Sequence, residues 1–430
     1  MNCKLLLLAA LALTLAGCAS KNDFWTVRNG HFHRGNDPKP AYYIGTNLWY
    51  GPLLLSDTQA ADPQRLAEEL DYLKSIGITN LRVLVGADGQ AGVKSKIEPT
   101  LQTEPGVYDE NVLVGLDRFL AELDKRSMTA VLYINNAWEW SGGFGQYLQW
   151  AGEGRPRSTV DDPWPDYCAH TSQFVVNEKA KAMFAQHLRN IVSRVNTVTG
   201  KPYRDDPAIF SWQICNEPRF FVSTPELKAA FTDWLCESAA LIKSIDPNHM
   251  VSSGSEGSWG CEGDMEVFRK VHACPDIDYL TIHIWPFNWS WARRDSLKED
   301  LPEALRKTDE YIDAHIAIAR ELGKPLVLEE FGFPRDGFQF KKGTPTTLRD
   351  AFYAHIFDRV AQSAERKDVF AGVNFWTWGG LARQSESNIY WQKGDDYCGD
   401  PAQEQQGLNS VYTSDGSTME VIRKACDKLN

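Results

Sequence analysis

At 430 residues, with 43% apolar and 24% charged side chains, the chain has the make-up of a folded globular protein and enough material for one large core. Its net charge of −12, with no run of Lys or Arg, excludes a phosphate-backbone partner, so nucleic acid binding is not expected. The unusual number is 15 Trp among 50 aromatic residues; a flat apolar face with one N–H donor suits the hydrophobic face of a sugar ring, and equally a large aromatic core.

In chain order, Lys4 precedes an apolar run from Leu5 to Leu15 that is too short to cross a bilayer. It ends in Leu15-Ala-Gly-Cys18, which resembles the bacterial lipobox, in which Cys18 is acylated. The expected division is a lipoprotein signal peptide at 1–18, a tether and N-terminal segment at 19–40, with Ala19 to Asp23 as the short spacer, and one catalytic domain at 41–430. The protein is then expected on the bacterial outer membrane, held through lipid alone and otherwise monomeric. Removing Cys3 and Cys18 leaves seven cysteines, so at least one thiol is unpaired. Cys261 and Cys274 are the nearest pair in sequence, and an oxidising compartment permits a bridge. No CxxC or His-rich tract is present, so no metal site is expected.

From Ala41 onward, short strand-like runs alternate with amphipathic helical stretches. Strands are expected at Tyr43–Trp49, Ile78–Val85, Thr129–Ile134, around Ile209, Met250–Ser253, Tyr279–Ile284, Pro325–Glu330 and Phe370–Trp376. Helices are expected at Asp62–Ser75, Asn111–Lys125, Ser172–Val198, Pro225–Ile245, Asp264–Val271, Pro302–Leu322, Leu348–Arg366 and Thr418–Leu429. Eight such repeats give an α/β fold, a single (β/α)8 TIM barrel. The longest interruptions, Gly86–Asp109, Asn135–Thr171, Trp285–Leu301 and Gly379–Asp415, follow strands, where such barrels build their sites. Trp, Tyr and Gly crowd there, as an open aromatic-lined cleft for a polymer requires.

Around the fourth strand, Phe210, Trp212 and Ile214 alternate with Ser211, Gln213, Cys215 and Glu217. Period two sets the first group against the helices and the second inside the barrel, with Glu217 at the mouth and Pro218 stopping the strand. A second carboxylate comes from Glu329-Glu330 at the end of the seventh strand. Neighbouring side chains face opposite ways, so only one of the two is expected inside, and parity does not choose between them.

Asn216-Glu-Pro218 and Glu330-Phe-Gly332 resemble the acid/base and nucleophile signatures of glycoside hydrolase family 5, a retaining family with a (β/α)8 barrel. The resemblance implies Glu217 as acid/base and Glu330, ahead of an aromatic and Gly, as nucleophile. It also implies Arg82 as support for the nucleophile, His283 as the family histidine and Trp376 as the floor beneath the bond that breaks. Within the family the chain is similar to the endo-β-1,4-mannanases from Tyr42 to Gly380, in Gly45-Thr-Asn-Leu-Trp-Tyr50, Asn135-Asn136, Gly142-Gly143, Asn216-Glu-Pro-Arg219, His283-Ile-Trp285 and Phe375-Trp-Thr-Trp-Gly-Gly380. Trp49, Asn136, Trp138, Asn216, Arg219 and Trp285 are therefore expected to bind substrate, a β-mannan-type polysaccharide. Arg82 is expected to keep Glu330 ionised and the charge of Glu330 to hold Glu217 higher. Two carboxyls and water suffice, so no cofactor is expected. The alternatives are an endo-β-1,4-glucanase on the same scaffold and a non-catalytic surface glycan-binding protein.

Overall fold

The computed structural model describes residues 24–90 and 95–429. The signal peptide and Cys18 lie outside the described residues. Eight parallel strands form one sheet: Tyr43–Asn47, Asn80–Leu84, Thr129–Tyr133, Ile209–Gln213, Met250–Ser252, Leu280–Ile284, Leu326–Phe331 and Phe370–Phe375. Each lies beside its neighbours in chain order. The eighth pairs with the first, and a bridge between Ser252 and Tyr279 joins the fifth to the sixth, so the sheet closes into the expected barrel.

The helices outside follow the apolar spacing in the sequence. In Pro63–Ser75, Leu66, Leu70 and Leu73 are fully buried, and the N-cap Asp62 accepts the Arg65 N–H. The single helix expected over 172–198 divides into a tight turn, Ser172–Val176, and a helix, Glu178–Val192. Asn177 turns extended between them and caps the second by accepting the Ala180 N–H.

The N-terminal segment is folded onto the barrel from Phe24 onward. Trp25–Arg28 and His31–Arg34 pair as an antiparallel hairpin beneath the barrel. Phe32, fully buried, inserts against Phe210 and Tyr279 at ring separations of 5.2 and 5.3 Å, and Trp25 packs on Phe210 at 5.1 Å. A barrel's lower end needs an apolar lid, and this hairpin supplies one together with Val131, Met250, Val327 and Ala371. Phe210 is in that cluster and not against the helices. Ala130 pairs with Ile209 but Val131 pairs with Ser211, so Phe210 is the extra residue of a bulge and escapes the alternation. Trp212 does face outward, donating to Asp246 at 2.7 Å.

The disulfide joins Cys274 to Cys236, not to Cys261. Cys261 ends a turn ahead of the helix Met265–His272 whereas Cys274 follows it, so the helix holds the two apart. Cys236, on Pro225–Ile245, comes alongside with a Cα separation of 5.7 Å.

The basal lid is a packing element remote from the mouth. Phe32→Ala should lower the unfolding free energy by about 3–5 kcal/mol, read as a lower urea midpoint, while turnover under native conditions stays unchanged.

Candidate active site

The mouth of the barrel is a cavity of about 560 Å³ whose walls include Asn216, Glu217, Trp285, Glu330 and Trp376. A second cavity, of about 370 Å³ between Asp62, Glu98, Arg383 and Trp391, shares none of these residues. Glu217 follows the fourth strand with φ 49°, and its N–H donates to the Gly254 carbonyl. That close crossing requires glycine: a Cβ on Gly254 would stand 1.8 Å from the Cys215 carbonyl oxygen.

Arg82 holds the site together from below. It is fully buried on the second strand, with its guanidinium 4.6 Å from the centre of the Tyr133 ring. Its Nε donates to Gln213 at 2.9 Å, Nη1 to Asn47 at 3.1 Å and to Glu330, and Nη2 to Asn216 at 2.6 Å. Glu217 is fixed from the side: His283 Nδ1 lies 2.7 Å from one carboxylate oxygen, and the Trp138 indole N–H donates to the other. Oxygens of Glu217 and Glu330 lie within 4.8 Å of each other. The same set with His283 could in principle ligate a cation, but Arg82 already supplies positive charge to Glu330 and His283 is committed to Glu217.

Both adjacent glutamates point inward, contrary to the parity argument. Ile282 pairs with Leu328 and His283 with Glu330, so Glu329 is skipped in the register. Glu329 lies a layer deeper, accepting from Gln213 at 2.6 Å and from the Tyr279 hydroxyl at 3.4 Å. It does not line the cavity, and burial pushes its carboxyl up to about 7. Glu330 alone of the two faces Glu217.

The charge order differs from the sequence expectation. Burial pushes Glu217 up, but the His283 hydrogen bond and those of its other partners outweigh it and leave its carboxyl below the usual range. Glu330 is held well above that range, because complete burial and the Glu217 charge outweigh Arg82. Burial takes His283 down to about 4, so the neutral ring donates through Nδ1 to a Glu217 oxygen. The two carboxyls titrate as one pair.

Of the residues expected to bind substrate, Trp138, Asn216, Arg219, Trp285 and Trp376 line the cavity. Trp285 and Trp376 meet edge to face at 6.2 Å. Arg82 and His283, both fully buried, act on the carboxylates from behind. Trp49 does not reach the cavity: it is 1% exposed, wedged between Trp140 and Tyr397, and donates to the Gly399 carbonyl. Asn136 is also enclosed, giving its amide to Ser141 and accepting from Asn216 and the Trp138 N–H, so it positions those two residues. The sequence reading missed Glu256 and Glu404. Glu256, 3% exposed and 3.5 Å from Arg219, lies just past the fifth strand, a position that marks it as a site residue of a barrel. Glu404, which burial pushes up to about 8, comes from the loop after the eighth strand and has no such signal.

On one side of the cavity Trp138 stacks with Tyr167 and the half-exposed Trp164; on the other Trp259 lies on Trp289 at 4.6 Å. Opposed carboxyls between aromatic walls suit hydrolysis of a glycosidic bond.

A family model described as "GH family 5 beta-mannosidase-like" matches residues 22–430. The chain is 32% identical over 391 residues to the putative mannan endo-1,4-beta-mannosidase 9 of Oryza sativa, covering 86% of each, and 31% identical over 403 residues to mannan endo-1,4-beta-mannosidase 7 of Arabidopsis thaliana, covering 91% of this chain and 82% of that one. It superposes on the crystal structure of a glycoside hydrolase family 5 mannosidase from Rhizomucor miehei with a TM-score of 0.85 at 31% identity, covering 95% of this chain and 98% of that one. With barrel, carboxylate pair and relatives in agreement, the chain belongs to glycoside hydrolase family 5, in its β-mannosidase-like group.

Proposed function

We propose that the protein is an endo-β-1,4-mannanase that hydrolyses mannan, glucomannan or galactomannan with retention of anomeric configuration. The observation that carries the reading is the approach of Glu217 and Glu330 to within 4.8 Å across the cavity, with Arg82 against one and His283 against the other. Retaining hydrolysis needs carboxyl groups about 5–5.5 Å apart, whereas inversion needs room for a water between them. The substrate class is supported by relatives named as mannan endo-1,4-beta-mannosidases and by a 31% identical family 5 mannosidase whose variant was crystallised with mannosyl-fructose.

The pair shares one proton, and the reactive state is the one with that proton on Glu217 and Glu330 ionised against Arg82: a Glu330 oxygen then bonds to the anomeric carbon as the glycosidic C–O bond breaks, and Glu217 gives the proton to the departing oxygen. Arg82 stabilises the charge that Glu330 carries before attack. In the second step Glu217 takes a proton from water, whose oxygen replaces Glu330 on the sugar. Asn216, its oxygen held by Arg82, is placed to give an amide N–H to the 2-hydroxyl. Trp376 provides the apolar floor.

A second reading, removal of mannose units from chain ends, is favoured by one feature. Pro401, Gln403 and Glu404 bring the loop after the eighth strand to the wall of the cavity. Products decide: mixed oligosaccharides from the earliest times of mannan digestion fit internal cleavage, and mannose alone would replace that reading with the second. Preference for carboxymethylcellulose over mannan would overturn both.

Glu330→Gln and Glu217→Gln should each reduce mannan turnover by about 10³-fold or more. Only Glu217→Gln should keep its first step on aryl mannosides, whose leaving groups need no proton, and release a burst of phenol. Trp138→Phe removes a donor that favours the ionised form of Glu217. The acid then keeps its proton to higher pH, and the alkaline limb of kcat/KM should move upward by about one pH unit. An unmoved limb would show that the indole hydrogen bond does not tune the acid.

A further inference from the structure

We propose that acylation at Cys18 seats the barrel base-down on a lipid surface, with the catalytic mouth directed away from the bilayer. The inference goes beyond hydrolysis and rests on the reading of Leu15-Ala-Gly-Cys18 as a lipobox.

Six residue steps separate Cys18 from Phe24, so at most about 20 Å of backbone lies between the lipid and the fold, whatever its conformation. Phe24 is a fixed point. It is 6% exposed, meets the His249 ring edge-on at 5.0 Å, and its carbonyl accepts the Gly35 N–H. His249 directly precedes the fifth strand, at the end of the barrel opposite Glu217 and Glu330. From Phe24 the chain enters the hairpin whose Trp25 and Phe32 close the base.

Placing the mouth on the bilayer would require the tether to run the full height of the molecule. The 26-residue helix Leu297–Leu322 beside the barrel is by itself about 39 Å long, nearly twice the tether's greatest reach. The base is therefore the face that meets lipid. Its exposed rim sets Arg28, Arg34 and Lys39 against Asp37, fewer cations than the about four to eight that make a polybasic patch, so attachment depends on the acyl chains. A cleft held this way is open to a polymer arriving from the aqueous side.

The test uses the full chain, produced in a bacterium that acylates lipoproteins and reconstituted in phosphatidylcholine vesicles containing an acceptor-labelled lipid. A donor dye is placed on Arg34→Cys at the base or on Val160→Cys, an exposed position beside Thr159 of the cavity wall. The five free cysteines of the described residues are all buried, which directs labelling to the introduced thiol. Energy transfer from position 34 should exceed that from position 160 by roughly twofold or more, given a molecule about 40 Å tall. Equal transfer, or more from position 160, would overturn the orientation while leaving the anchor in place. Cys18→Ser should abolish retention on vesicles, and high salt should not release the wild type. Retention of the Cys18→Ser variant would instead overturn the lipobox reading itself.

Discussion

A guanidinium sealed inside the barrel is the constraint on which the site depends. A buried charge that lacked partners would cost several kcal/mol, so Arg82 must be surrounded by acceptors wherever the fold puts it. It finds them on Asn47, Gln213, Asn216 and Glu330, which come from the first, fourth and seventh strands or the residues just beyond them. Satisfying one cation thus sets the height of the nucleophile candidate and the orientation of the amide beside it. Truncating any acceptor would leave part of that charge uncompensated, which is why these polar side chains behave as one unit.

Two breaks in strand register shape the molecule at its two ends. At the base, the bulge at Phe210 frees an aromatic ring to meet the hairpin lid. At the upper end, the bulge at Glu329 brings a second carboxyl inside, beneath Glu330. Glu329 then bridges Gln213 and Tyr279, so the layer under the reacting groups is polar and hydrogen-bonded. Gln213 serves both layers, donating to Glu329 and accepting from Arg82. The cost is a dense group of buried carboxyls, and it shows in the high protonation tendency of Glu329 and Glu330.

The walls of the cleft come from long loops that brace one another. Trp49, expected from the sequence to bind substrate, works behind the wall instead, tying the first loop to Trp140, Tyr397 and Gly399. Asn135 and Asn136 do the same after the third strand. Asn135 donates to buried Asp88, and Asn136 receives Asn216. The residues facing the cavity include aromatic pairs on either side of Glu217 and Glu330, with Arg219, Glu256, Gln403 and Glu404 beside them, an arrangement of apolar faces and hydrogen-bonding groups suited to a hydroxyl-rich chain.

Much of this was legible in the residues themselves. The alternation of apolar strands with capped amphipathic helices determined the barrel, since each period reports which face must be buried. Inward positions for Arg82, Gln213 and His283 follow from the same rule, and short motifs marked Glu217 and Glu330. Tertiary structure alone decided whatever depends on register, on loop packing or on distance between remote segments: that Glu329 also enters the barrel, that Cys274 meets Cys236, that residues 24–40 form a lid and that Trp49 is covered. It also decided which groups meet each carboxyl of the pair, because proton affinity is set by burial and by donors such as Trp138 and His283 that lie 79 and 66 residues from Glu217 in the chain. Local sequence fixes which face a side chain takes, whereas only the closed fold determines what it meets there.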